Sequence, residues 1–91
     1  MVEKSEKIKV AMVTAAAMAC DFLDKNPNAD TEHLMQFIMQ QMRVKGDEKV
    51  GAIVGASRAM KEKQNTGSTN KVIVQGIMDR ANEILLTIGE N

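Results

Sequence analysis

Between Ser5 and Lys25, the residues Ile8, Ala11, Met12, Ala15, Met18, Ala19 and Phe22 recur at intervals of three and four. That is the period of one helix face, and it predicts a helix over 5–25. Asn26-Pro27 stops it, because a residue before proline is pushed out of the helical region. Asp30 or Thr31 is placed to cap a second helix over 31–44, with Glu32 and His33 in its first turn and a stripe of Leu34, Met35, Ile38, Met39 and Met42. Gly46 is expected to end that helix and Asp47 to cap a third, over 48–64. NTGSTN at 65–70 has no apolar residue and reads as a loop. Thr69 or Asn70 then caps a last helix over 70–88, with stripe Val74, Ile77, Met78, Ala81, Leu85 and Ile88, closed by Gly89. No useful length alternates with period two: VIV at 72–74 and AIV at 52–54 are short and embedded in helical periodicity. The expected fold is all-α, a small four-helix bundle forming one domain over 1–91.

The stretch VAMVTAAAMAC, Val10 to Cys20, is apolar almost all the way round. Val10, Val13 and Ala17 lie off the main stripe and, with Cys20, form a second apolar face. A helix with two such faces is either central in a bundle or shared with another subunit. Both remain open from the pattern alone, and the second makes Val10, Val13 and Ala17 the candidate self-association residues.

Composition narrows the class. Eight Met, two Phe and no Trp or Tyr describe a core of small and flexible side chains, suited to close helix packing and poor in strand-favouring aromatics. Single-stranded nucleic acid held by base stacking is disfavoured, since only Phe22 and Phe37 could stack and both fall at core positions. Ninety-one residues support one small core, which gains from association. The lone Cys20 excludes an intramolecular disulfide and reads as a packed thiol. About eleven apolar residues near the start are too few for a membrane span, which needs about 20, and ACDFLDKN beyond them reads as continuous helix rather than a processing site. A cytoplasmic protein is expected.

Catalysis requires polar groups converging on a pocket, and few are offered here. His33 is the one histidine and sits in a first helical turn beside Glu32, so with one buried-type cysteine it makes no zinc site. Asp21, Asp24, Asp30 and Glu32 gather near one turn without the glycine and terminal glutamate of a calcium loop. Phosphate-loop, nucleophile-elbow and dinucleotide patterns are missing. The expectation is no enzyme: no catalytic residue, no cofactor and no metal.

Charge is neutral overall but uneven. Residues 43 to 80 hold Arg43, Lys45, Lys49, Arg58, Lys61, Lys63, Lys71 and Arg80 against Asp47, Glu48, Glu62 and Asp79, an excess suited to a phosphate backbone. TGSTNK, at a helix start, could receive an anion with Lys63 and Lys71. In the third helix, Gly51 and Gly55 stand four apart in GAIVGASRA, where each glycine costs roughly 1 kcal/mol against alanine. Close backbone approach of another helix explains that spacing.

Residues 47 to 86, from DEKVGAIVGASRAMKEKQ through NTGSTNKVIVQGIMDRANEILL, resemble the helical tail domain shared by the B subunit of tRNA-dependent amidotransferases and the YqeY proteins. Gly51 and Gly55, Met60-Lys61, Gly67, Asn70, Val74 and Leu85 carry the resemblance. It implies a basic helical surface that touches tRNA or another structured RNA. Two functions follow as expectations. The first is a non-enzymatic module that self-associates, as a dimer, and holds a further protein on an apolar, Met-rich surface. The second is an RNA-binding module using Arg58, Lys61, Lys63 and Lys71, with nucleic acid the less favoured partner and no membrane involved.

Overall fold

Pro27 and Gly67 punctuate the chain where the sequence places its first and third breaks, and helices form on either side of each. The computed structural model describes residues 4–87, and the last positions assigned above to a helix end, Ile88 and Gly89, lie outside them. Among the described residues there are five helices and no strand: α1 (Lys4–Lys25), α2 (Thr31–Gln41), α3 (Gly46–Thr66), α4 (Asn70–Asp79) and α5 (Ala81–Thr87). The protein is all-α, but the described residues form five helices rather than the expected four.

The local causes of these elements are visible. Asp30 caps α2, its carboxylate accepting from the His33 backbone N–H, and Thr69 caps α4 by accepting from Val72 N–H. Such caps satisfy donors that the first helical turn leaves unpaired. Gly67, at φ +67°, closes α3 in the left-handed region that glycine enters without a Cβ penalty.

Four boundaries differ from expectation. The third helix runs to Thr66 instead of 64, so Asn65 and Thr66 of the expected loop are helical, with the turn delayed to Gly67. The second helix ends at Gln41 instead of 44: Met42 turns extended, at φ −108° and ψ 117°, and the segment through Lys45 leaves the helix. Met42 and Val44 still pack on the core from extended backbone, so their apolar character mimics a continuing stripe. Gly46 opens α3 at φ +60° instead of closing α2, and Asp47 lies in the first turn while Lys45 holds the cap position without a side-chain bond. Finally, the expected last helix breaks at Arg80, whose φ of −101° and ψ of 8° leave the helical region. Its N–H bonds Gly76 O and Met78 O, while its own carbonyl accepts from Ile84 N–H. The chain therefore stays coiled through the kink, and Ala81, Ile84 and Leu85 are still buried. On α4, Ile73 is buried in place of Met78, which is exposed.

α1 touches all four other helices. Its most extensive partner is α3, across a seam of small residues: Ala11, Ala15 and Ala19 on α1, and Gly51, Ala52, Gly55, Ala56 and Ala59 on α3, all buried. A Cβ built at Gly55 would overlap the Met12 carbonyl oxygen and lie 2.9 Å from its carbon, so only glycine permits this approach. At Gly51 a Cβ would sit 2.7 Å from Ile8 Cγ2 and 3.0 Å from Ile8 O. α2 joins through Leu34 and Ile38, both fully buried, through stacked Phe22 and Phe37 rings 4.6 Å apart, and through the Thr31 hydroxyl, 3.6 Å from Met60 Sδ.

The second apolar face on α1 is covered in part within one chain. Cys20 is buried and Val13 half-buried, because a central helix is covered from several sides. Val10 and Ala17 stay exposed.

Candidate functional site

The polar groups that sequence reading weighed for chemistry are mostly engaged in holding the fold. His33 Nδ1 lies 2.7 Å from Asp30 Oδ1, and that carboxylate is held below its usual pKa by the His33 backbone N–H and then by the His33 ring. Asp21 pairs with Lys25 at 3.5 Å on the surface. Among the described residues, no three of His, Cys, Asp and Glu gather as a metal ion would need. Burial pushes the Cys20 thiol above its ordinary pKa, opposed by the charge of Lys63.

Asp24, Lys63 and Asn70 form a closed triangle. Lys63 Nζ donates to Asp24 Oδ1 and to Asn70 Oδ1, both at 2.7 Å, and the Asn70 amide donates to the other Asp24 oxygen. Asp24 lies near the end of α1, Lys63 near the end of α3 and Asn70 at the start of α4, so three helix ends are tied at one point. The Lys63 hydrogen bond, followed by that of Asn70, lowers the Asp24 pKa. Lys63 is therefore turned away from Lys61: positions two apart on a helix do not share a face. The neighbouring loop satisfies itself, with the Thr66 hydroxyl bonded to Glu62 O at 2.8 Å and the Ser68 N–H bonded to the Thr66 hydroxyl. Lys63, one of the two lysines weighed for an anion at TGSTNK, is engaged by Asp24 and by Asn70 of that segment.

Two surfaces remain. On the outer face of α1, Val10 is 64% exposed and borders a shallow depression of about 230 Å³ shared with Ala11, Met42 and Val44. Lys7 and Glu48 stand at its rim, with no ion pair to either among the described residues. Thr14 and Ala17 continue the same exposed stripe of α1, four and seven residues on from Val10. Met42, in the lining of the depression, is half-buried, as are Met18, Met35 and Met39, which also pack on the core.

The second surface is a cleft of about 140 Å³ between α3 and the α4–α5 kink. Ile73, Ile77 and Ile84 make its floor, Val72 and Gly76 one wall, and Arg58, Arg80 and Glu62 charge its rim. The structure thus brings Arg58 to Arg80 in one cleft lining, which Lys61 and Lys71, both exposed, do not join. Sequence reading missed Gly76 and Val72, and counted Arg80 only as charge. The available signal was Gly76 itself: a helix-interior glycine costs about 1 kcal/mol against alanine, and a Cβ here would meet nothing within 4 Å. Packing, which explains Gly51 and Gly55, does not explain Gly76.

No protein-family model, curated protein or solved structure matches the chain. No described helix is long and apolar enough to cross a membrane.

Proposed function

We propose that the protein is a small non-enzymatic interaction module of the cytoplasm, which self-associates through the outer face of α1 and holds a further protein on the adjoining Met-rich surface. The observation that carries this reading is the apolar depression beside Val10, left open by a helix otherwise covered on its remaining sides. Its rim suits a second copy. In a two-fold arrangement the same patch meets itself, so Lys7 of one copy faces Glu48 of the other across the apolar centre. Met42 in the lining of the depression, and the other half-buried methionines, have unbranched thioethers that repack around different surfaces. Val13, half-buried inside the fold, contributes less to such a contact than Val10 and Ala17.

Sedimentation equilibrium tests the reading. Wild type is expected to dimerise, and Val10→Glu with Ala17→Glu to be monomeric at unchanged helical content, since both positions are exposed. Wild type that stays monomeric at high concentration overturns self-association.

A second reading, binding of structured RNA, is favoured by the exposure of Arg58, Lys61 and Lys71, each without an ion pair among the described residues. Lys63 leaves the candidate set because Asp24 and Asn70 occupy it. Binding by these cations weakens as salt rises. A submicromolar, salt-sensitive RNA complex lost in Lys61→Glu with Lys71→Glu would favour this reading over the first.

A further inference from the structure

We infer that the cleft between α3 and the α4–α5 kink binds a monocarboxylate carried on a short aliphatic group. Three observations converge on that chemistry. The floor is apolar and shielded: Ile73, Ile77 and Ile84 are 4%, 4% and 2% exposed, and Val72 offers an apolar wall. Gly76 lines the cleft, and a Cβ added there would meet nothing within 4 Å, so the glycine leaves that space open. The rim holds two guanidinium groups, Arg58 and Arg80, neither with an ion pair among the described residues.

Charge and size narrow the ligand. Glu62 is the one carboxylate in the lining, so it offsets one arginine and leaves a single positive charge. A monoanion balances that charge, whereas a dianion such as a phosphate monoester would exceed it beside the Glu62 carboxylate. The planar arginine fork matches a carboxylate with two parallel hydrogen bonds. A cleft of about 140 Å³ lies below the usual range for a drug-sized ligand, so it suits only a short aliphatic tail. A free short-chain acid and the C-terminal leucine of a peptide share this chemistry. The site lies on a different face from the Val10 depression and does not depend on self-association.

The test is a titration of the full chain, isotopically labelled, at low salt, following the backbone amide resonances of Ser68, Val72 and Gly76. Hexanoate is expected to shift them saturably, with acetate and 1-pentanol, which carry head or tail alone, at least tenfold weaker. N-acetyl-leucine tighter than hexanoate identifies the source as a peptide C-terminus, and weaker identifies it as a free acid. Arg58→Gln and Arg80→Gln, both at exposed positions, are each expected to weaken binding at least tenfold. Gly76→Leu is expected to remove it by filling the cleft, while the thermal midpoint holds or rises. The inference is overturned by no saturable shift with either carboxylate, by inorganic phosphate binding as well as hexanoate, or by undiminished binding in the two arginine variants.

Discussion

The Met12 carbonyl of α1 lies against Gly55 of α3 more closely than any side chain at position 55 would permit. Backbone meets backbone at this point, and neither partner can yield without moving a helix. Gly55→Ala should therefore destabilise the protein by about 1–3 kcal/mol through overpacking, despite alanine's higher helix propensity. Gly51→Ala should cost less, because the nearest backbone atom there, Ile8 O, stands 3.0 Å from the added Cβ instead of overlapping it, although the Ile8 Cγ2 methyl at 2.7 Å must also shift. Thermal or denaturant unfolding measures both, and equal losses at the two sites would contradict this ranking.

Gly76→Ala should do the opposite. Its Cβ meets open space inside a helix, so the variant should gain up to about 1 kcal/mol from propensity alone. A loss of stability on denaturant unfolding would mean that the glycine serves packing after all.

The triangle at the helix ends predicts acid sensitivity. Its bonds to Lys63 and Asn70 lower the Asp24 pKa in the folded state below the unfolded value of about 3.9. The stabilisation is therefore present above that value and lost as pH falls through the lower folded one. Asp24→Asn should lower the melting temperature near neutral pH and lie close to wild type in strong acid. A gap that persists unchanged to low pH would assign the loss to something other than the carboxylate charge.

Cys20 is 1% exposed and its thiol is pushed up in pKa by burial, so it should be slow toward thiol reagents until the protein unfolds. Cys20→Ser places a hydroxyl in that setting and should cost about 1–3 kcal/mol. Rapid, stoichiometric labelling under native conditions would show that the central helix opens on its own.

The starts of α2 and α4 and the ends of α1 and α3 were legible to within two residues because their causes are local: acceptors at Asp30 and Thr69, a proline at 27 and a glycine at 67. The glycine pair at 51 and 55 was legible for a different reason, since its cost in a helix demands a tertiary explanation. What escaped depends on context. Met42 and Val44 bury apolar atoms from extended backbone, so apolar pattern could not separate them from a helical turn. The kink at Arg80 leaves the apolar spacing nearly intact and so has no signature in it. The width of the apolar arc on α1 was visible, but the number of neighbours around it was not. Lys61 and Lys63 looked alike in the sequence, yet only Lys63 meets a carboxylate 39 positions away in the chain.

The stacked Phe22 and Phe37 have an optical consequence. The chain contains no Trp or Tyr and one cysteine, so these two rings are its only aromatic chromophores. All of its near-ultraviolet circular dichroism then originates where the end of α1 meets α2. Loss of that vibronic fine structure during heating or denaturation tracks the parting of one joint, while the far-ultraviolet band tracks every helix. Comparing the two melting curves would show, without any label, whether α2 detaches before the rest of the bundle.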